Sequence, residues 1–273
     1  MAGKEFPAAE QHTRKEKKVT LEEMKTHEWV VSWSGGKDST ATIILMHEHG
    51  IPIKKIVYVR MMYDETLPAT LPVMTDFVDR AREVFEGWGY DVEYVLTERT
   101  MMDIAKKTYK KSKYKQKIGK PYGITALSRR RCNLTLEKQK AIKKITNTDC
   151  FQMIGYAVDE KDRLIHIKDD EKKQSIMATL NVKEQDAFDI CKKHNLLSPL
   201  YDLGIKRDGC WFCPNAGKRE REIITTQYPE LYKKIVELIE MPGFDIRSLK
   251  TLNNWLIDYY ESNTKKQLVE RLF

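Results

Sequence analysis

The sequence predicts an α/β fold built on a parallel sheet, with a helical annex behind it. Three observations carry this. Between Trp29 and Ala157, short apolar runs alternate with segments of helical length. A Ser-Gly-Gly corner joins the first apolar run to the first of those helices. Beyond about residue 180, apolar residues recur only at helical spacing. Strands separated by such helices form right-handed βαβ units, and these build parallel sheets.

Each element follows from its local pattern. Residues 1–26 are polar and mixed in charge, a loose arm with room for one helix. Trp29 to Trp33 reads as a strand. Asp38 to His49 reads as a helix, apolar almost all round and therefore buried. Ile56 to Met61 is a second strand. Phe77, Ala81, Val84 and Phe85 form one helix face, which Gly87 and Gly89 end. Val92 to Leu96 is a third strand. A helix near Asp103 to Lys111 leads into a Lys-rich loop, Leu134 to Ile145 is helical, and Phe151 to Ala157 is a fourth strand. "VKEQDAFDICKKH", "YPELYKKIVELIE" and "LNNWLIDYYES" supply the later helices. The expected division is an arm (1–26), a nucleotide-binding domain (27–215) and a helical annex packed on it (216–273).

The chain has 273 residues, 41% of them hydrophobic, enough for one large domain with an annex. No apolar run nears the roughly 20 residues of a membrane span, and the first 30 residues lack an apolar signal core. The expectation is a cytoplasmic protein with no membrane contact. Five cysteines in this length do not make a disulfide scaffold, so clustered ones point to metal or redox chemistry. The net charge of +8 is local. From Arg99 to Lys144, sixteen Lys and Arg stand against Asp103 and Glu137, leaving the rest of the chain acidic. Such a segment suits a polyanion, either nucleic acid or a nucleotide. A solvated, Lys-rich surface loop has the same composition.

The corner "SGGKDS" (residues 34–39) combines several anion-binding devices. A glycine pair brings backbone N–H groups close to a ligand, and the helix start adds its dipole. Ser34, Ser39 and Thr40 offer hydroxyls, and Lys37 offers a compact positive charge. The pattern is not a Walker loop, because position 31 is Val and Lys37 precedes Asp38. Nor is it a dinucleotide-binding glycine turn.

"SGGKDS" resembles the pyrophosphate loop of the PP-loop ATP pyrophosphatases, the adenine nucleotide alpha hydrolases. "RRRCNLTLEKQKAIKK" (129–144), "IGYAVDEKDR" (154–163) and "SPLYDLGIKRDGCWFCP" (198–214) resemble, in order, motifs of the phosphoadenosine phosphosulfate (PAPS) reductase family. The resemblance implies a Rossmann-like parallel sheet with helices on both faces. It implies an adenine nucleotide site, for ATP or a sulfonucleotide, lined by Ser34, Gly35, Gly36, Lys37, Asp38 and Ser39. Ligands of open parallel sheets lie beyond the carboxyl ends of the strands. Asp159, Glu160 and Arg163, just past the fourth strand, should therefore face the same crevice, with Arg163 a second anion contact. Asp64 and Glu65, after the second strand, are weaker candidates for holding Mg²⁺.

Cys210 and Cys213 form C-x-x-C, a spacing that lets two thiolates reach one metal or cluster. Cys132 follows three arginines, which favour thiolate. The resemblance places these motifs near one another, so the expected ligand set is Cys132, Cys210 and Cys213. Both zinc and a [4Fe-4S] cluster are open. Cys150 and Cys191 read as core, and His47, His49, His166 and His194 as ordinary histidines.

Three functions compete. The first is ATP-dependent adenylation, releasing pyrophosphate and then AMP, coupled to sulfur transfer. Lys37, Asp38 and Arg163 would be the catalytic groups, nucleic acid the acceptor, and a sulfur donor protein a further partner. The second is reduction of PAPS or adenosine phosphosulfate to sulfite. The resemblance implies a catalytic tail cysteine for that reaction, and no cysteine follows Cys213. The third is a binding module with structural metal.

Overall fold

The structure is a computed structural model that describes residues 19–111, 115, 118–127, 132–146, 150–168, 170–241, 254–259 and 261–262. The expected arm lies largely outside them, as do the three arginines at 129–131. Five parallel strands form one sheet in the order β3-β2-β1-β4-β5. They are β1 (Trp29–Trp33), β2 (Ile53–Arg60), β3 (Val92–Leu96), β4 (Phe151–Met153) and β5 (Lys173–Gln174).

The central strand is the most apolar. Residues alternate between faces along a strand, and β1 shows this directly. Trp29, Val31 and Trp33 join the large core, while Val30 joins a smaller cluster with Val57, Val59 and Ala141. Ala141 lies on α5 (Asn133–Ile145). The large core takes in α2 (Lys37–Glu48) and α3 (Pro72–Gly87), so helices cover both faces of the sheet, as expected.

Around this lie α1 (Leu21–Lys25), α4 (Met101–Ala105), a 3₁₀ turn (Gly123–Ala126) and α6 (Lys161–Leu164). They are followed by α7 (Ile176–Thr179), α8 (Asp186–Lys193), α9 (Lys218–Gln227) and α10 (Pro229–Glu240), and residues 254–259 are helical as well. Among the described residues no helix is long and apolar enough to cross a membrane.

α2 is buried on nearly every side because α7 and α8 pack on it from outside the sheet. α3 shows the expected face: Phe77, Ala81 and Phe85 are buried, with Val84 at its margin.

Two expectations need correction. The fourth strand stops at Met153: the Ile154 N–H makes the last ladder bond, to Gln174 O, and the Tyr156 N–H then turns back to Ile154 O, taking the chain off the sheet. α4 starts earlier and ends sooner than Asp103 to Lys111. Thr100 caps it, its hydroxyl accepting from the Asp103 N–H while Asp103 accepts from the Thr100 N–H. β5 and α9 had no apolar periodicity to announce them.

Candidate functional site

The chain runs from β1 outward to β3, then crosses back to β4 on the other side of β1. That reversal opens a crevice beyond the carboxyl ends of β1 and β4, where open α/β sheets bind ligands. The loops leaving these two strands touch. A Cβ on Gly155 would lie 2.8 Å from both Cα and N of Ser39 and 2.9 Å from the carbonyl carbon of Asp38. Only a glycine lets the second loop lie on the first turn of α2.

Gly36 is the N-cap of α2, so the corner does end in a helix start. Gly35 sits at φ 83°, the left-handed region that favours glycine. Ser34 and Ser39 line the loop together, their hydroxyl oxygens 3.1 Å apart. Ser39 Oγ also accepts from the Ser34 N–H at 3.1 Å and donates to Gly36 O at 3.1 Å. Thr40 is different: its hydroxyl turns inward and accepts from Trp33 Nε1 at 3.0 Å, so it does not line the cradle.

Lys37 is only 5% exposed, and its ammonium is encircled. It donates to Asp38 Oδ1 and Oδ2, each at 3.0 Å, and to Glu184 Oε1 at 2.7 Å. Burial works to lower its pKa, but the hydrogen bonds to Glu184 and Asp38 outweigh this and hold it above the ordinary value. Asp38 is shifted upward, chiefly by burial, against the opposing hydrogen bond from Lys37. The Phe188 ring lies 5.2 Å from the ammonium. The Lys37 backbone N–H donates to the Tyr201 hydroxyl at 3.3 Å, and burial raises that phenol above its usual range.

Glu184 and Tyr201 thus enter the site from well downstream. Tyr201 lies within the "SPLYDLG" stretch, whereas Glu184 lies in "VKEQDAFDICKKH", expected to be helical throughout; the helix begins only at Asp186 and leaves Glu184 on the loop before it.

Asp159, Glu160 and Arg163 all sit on the facing loop or at the start of α6. Asp159 Oδ1 accepts from the Glu184 N–H at 3.0 Å. Glu160 accepts from the Ala157 N–H at 3.0 Å and pairs with Arg163 Nη1 at 2.5 Å. The Arg163 guanidinium lies 4.3 Å from the centre of the Tyr156 ring. Asp64 does not join them. It caps its own turn, accepting from the N–H groups of Thr66 (3.0 Å) and Leu67 (2.8 Å), and these bonds hold its pKa down despite burial.

The C-x-x-C turn docks beside the segment that follows β2. The Trp211 N–H donates to Ala69 O at 2.9 Å, and its indole donates to Pro68 O at 3.0 Å. The Tyr63 ring packs on Trp211 and Phe212, so these aromatics serve as packing. From the other side, Trp255 Nε1 donates to Cys213 O at 3.0 Å. Cys132 is the N-cap residue of α5.

The three thiols form one electrostatic neighbourhood. Cys210 is pushed well above the usual thiol range, first by burial, then by Cys132 and Cys213. Cys213 is raised by burial, although Arg207 Nη2 donates to its sulfur at 3.2 Å. Asp208 lies in the same neighbourhood; burial lifts its carboxyl to about 7, and its Oδ1 has no hydrogen-bond partner. Among the described residues, no three His, Cys, Asp or Glu side chains stand at metal-binding spacing. In kind the donors do fit: soft thiols sharing one neighbourhood with a buried, unsatisfied carboxylate oxygen suit a thiophilic metal or a cluster.

The remaining cysteines are core. Cys191 is buried beneath α2, donates to Lys37 O at 3.3 Å, and is pushed up to about 12 by burial. Cys150 is raised, also by burial. His47 stacks on Trp88 at 4.3 Å, and His194 meets Glu48 at 3.1 Å, both packing roles. In the basic segment, Lys106, Lys107, Lys110, Lys111, Lys115 and Lys120 are exposed around the packed rings of Tyr109 and Tyr122.

A comparison with curated proteins gives no match. Among solved structures, the chain is similar to the U34-tRNA thiolase NcsA from Methanococcus maripaludis with its [4Fe-4S] cluster. The two are 15% identical with a TM-score of 0.41, over 81% of this chain and 71% of that one. Residues 28–216 match the phosphoadenosine phosphosulfate reductase domain, which is more than half of the chain, and they take in β1, the loop of Lys37, the facing loop and all the cysteines. The chain therefore belongs to the phosphoadenosine phosphosulfate reductase domain family.

Proposed function

We propose that this family member adenylates an acceptor with ATP and couples that step to sulfur transfer. The observation that carries the reading is the charge pattern at the loop. Lys37 and Arg163 are interleaved with Asp38, Glu160 and Glu184. Such a mixture suits a triphosphate that brings Mg²⁺ with it better than a bare sulfonucleotide anion.

The thiols favour the same reading. Cys210 and Cys213, which share one neighbourhood with Cys132, are both raised above the ordinary thiol range by burial. A reductase needs an accessible thiolate nucleophile, whereas grouped thiols that resist ionisation suit metal or cluster ligation, in which the metal replaces the proton.

In the proposed reaction an acceptor oxygen attacks the α-phosphorus of ATP. The new P–O bond forms as the bond to the β-phosphate breaks, and pyrophosphate leaves. A sulfur nucleophile then displaces AMP from the activated acceptor carbon. Lys37 and the backbone N–H groups at the start of α2 stabilise the charge on the departing pyrophosphate, and Arg163 holds a second phosphoryl oxygen. Cys132, Cys210 and Cys213 would hold the metal group; a [4Fe-4S] cluster would offer an open iron able to carry sulfur, whereas zinc would supply structure alone. The exposed lysines and the tyrosines of the basic segment suit a nucleic-acid acceptor.

The test is release of pyrophosphate and AMP from ATP by anaerobically prepared protein, with Lys37→Ala as the control. Sulfite release from PAPS with a thiol reductant, and no pyrophosphate from ATP, would reverse the assignment.

A further inference from the structure

The ammonium of Lys37 is held between two carboxylates. It lies 3.0 Å from both oxygens of Asp38 and 2.7 Å from Glu184 Oε1, the shortest contact of the set. Because Lys37 is only 5% exposed, a phosphate reaching this ammonium has to take the place of one of them.

The structure distinguishes them. Asp38 is the next residue in the chain, on the buried first turn of α2, with 22% of its side chain exposed. Glu184 reaches in from a separate loop, and 56% of its side chain faces solvent while Lys37 is 5% exposed. The lysine has nowhere to go; the glutamate has open water beside it.

The backbone of that loop is pinned. The Glu184 N–H donates to Asp159 Oδ1 at 3.0 Å, the Lys183 N–H to Asp186 Oδ2 at 2.9 Å, and the Val158 N–H to Val182 O at 2.9 Å. Asn181 turns the chain into it at φ 58°. Only the side chain of Glu184 is placed to move, by a change of rotamer.

We infer that Glu184 is a resident anion of the phosphate loop, one that an incoming polyphosphate must displace from Lys37. The inference rests on the reading of the loop as a polyphosphate site and adds a selection rule to it. A carboxylate with a charge-assisted hydrogen bond to a buried ammonium is a strong competitor. Ligands with several negative charges that can also use the N–H groups of the α2 start displace it. Singly charged oxyanions do not. Glu184 therefore sets the loop's affinity and filters its ligands by charge, without touching the reacting atoms.

The experiment uses calorimetry on the full-length protein, with ATP and inorganic pyrophosphate as probes and with wild type, Glu184→Gln, Glu184→Ala and Lys37→Ala. Glu184→Gln should bind pyrophosphate more tightly by roughly two- to fivefold, the range for losing one partly exposed competing charge. Glu184→Ala should do the same. Thermal melts without ligand show whether each variant is folded. If wild type binds both probes, Lys37→Ala loses them, and both folded Glu184 variants bind no tighter than wild type, the displacement idea fails while the polyphosphate site stands. If neither wild type nor the Glu184 variants bind either probe, the reading of the loop fails, and this inference with it.

Discussion

The phosphate loop and the cysteine turn lie beyond the same edge of the sheet but satisfy their polar groups in opposite ways. At the loop, the charges of Lys37, Asp38, Glu160, Glu184 and Arg163 answer one another, and Tyr201 accepts from the Lys37 N–H. At the turn, thiols crowd together with their ionisation suppressed, and Asp208 Oδ1 is buried without a partner. A buried unsatisfied polar atom costs about 1–3 kcal/mol, so the turn carries a standing penalty that the loop avoids. The loop's charges are satisfied among themselves; the turn keeps a buried polar atom that is not.

The largest expected effect tests whether the turn is a structural unit. Trp255 is fully buried and its indole holds Cys213 O. Trp255→Ala should cost about 3–5 kcal/mol, read by urea denaturation, and should lower the bound metal or iron measured by elemental analysis. Unchanged stability would mean that the 254–259 helix does not brace the turn.

At the loop, Lys37→Ala should reduce pyrophosphate release by roughly 100-fold, the order expected for removing one electrostatic stabiliser, while leaving metal content alone. A parallel loss of metal would merge the two regions into one. Gly155→Ala should cost about 2 kcal/mol, since its Cβ would press on the backbone of Ser39. It should weaken nucleotide binding more than metal retention, and calorimetry alongside a thermal melt decides this.

The smallest effect concerns pH. Glu220 is buried and shifted above its ordinary value, chiefly by burial, against the hydrogen bond from the Gly217 N–H. The folded state therefore holds its proton at pH values where the unfolded chain has released it. Stability should fall as pH rises from the ordinary glutamate value through the raised one, then level off. Glu220→Gln should flatten that slope in denaturation curves taken between pH 4 and 8.

Much of this was legible in the sequence, for identifiable reasons. β1, β3 and α5 declared themselves because burial imposes a period on apolar residues. The loop declared itself through glycines and a lysine at a strand-to-helix corner. What escaped notice lacked such an imprint. β5 is Lys173–Gln174, held by two pairings to β4 rather than by its own side chains. α9, "KREREIITTQ", is largely charged. Ile154 to Ala157 keeps the apolar character of a strand, although the Tyr156 N–H turns back to Ile154 O and Gly155 lies against the first turn of α2. Glu184 was invisible because its partner Lys37 is 147 positions away, and no local pattern records so distant a pairing.

The strand order also bears on how the chain is made. β1 has β2 on one side soon after synthesis, but its other neighbour is β4, with Trp29 opposite Phe151. At ribosomal speeds of about 5–20 residues per second, the second edge of "WVVSW" waits on the order of ten seconds for its partner. An apolar edge left open that long is a template for pairing with other chains. The crevice between β1 and β4 is thus assembled late, and the interval before Phe151 emerges is when a nascent chain of this protein is most in need of chaperone cover.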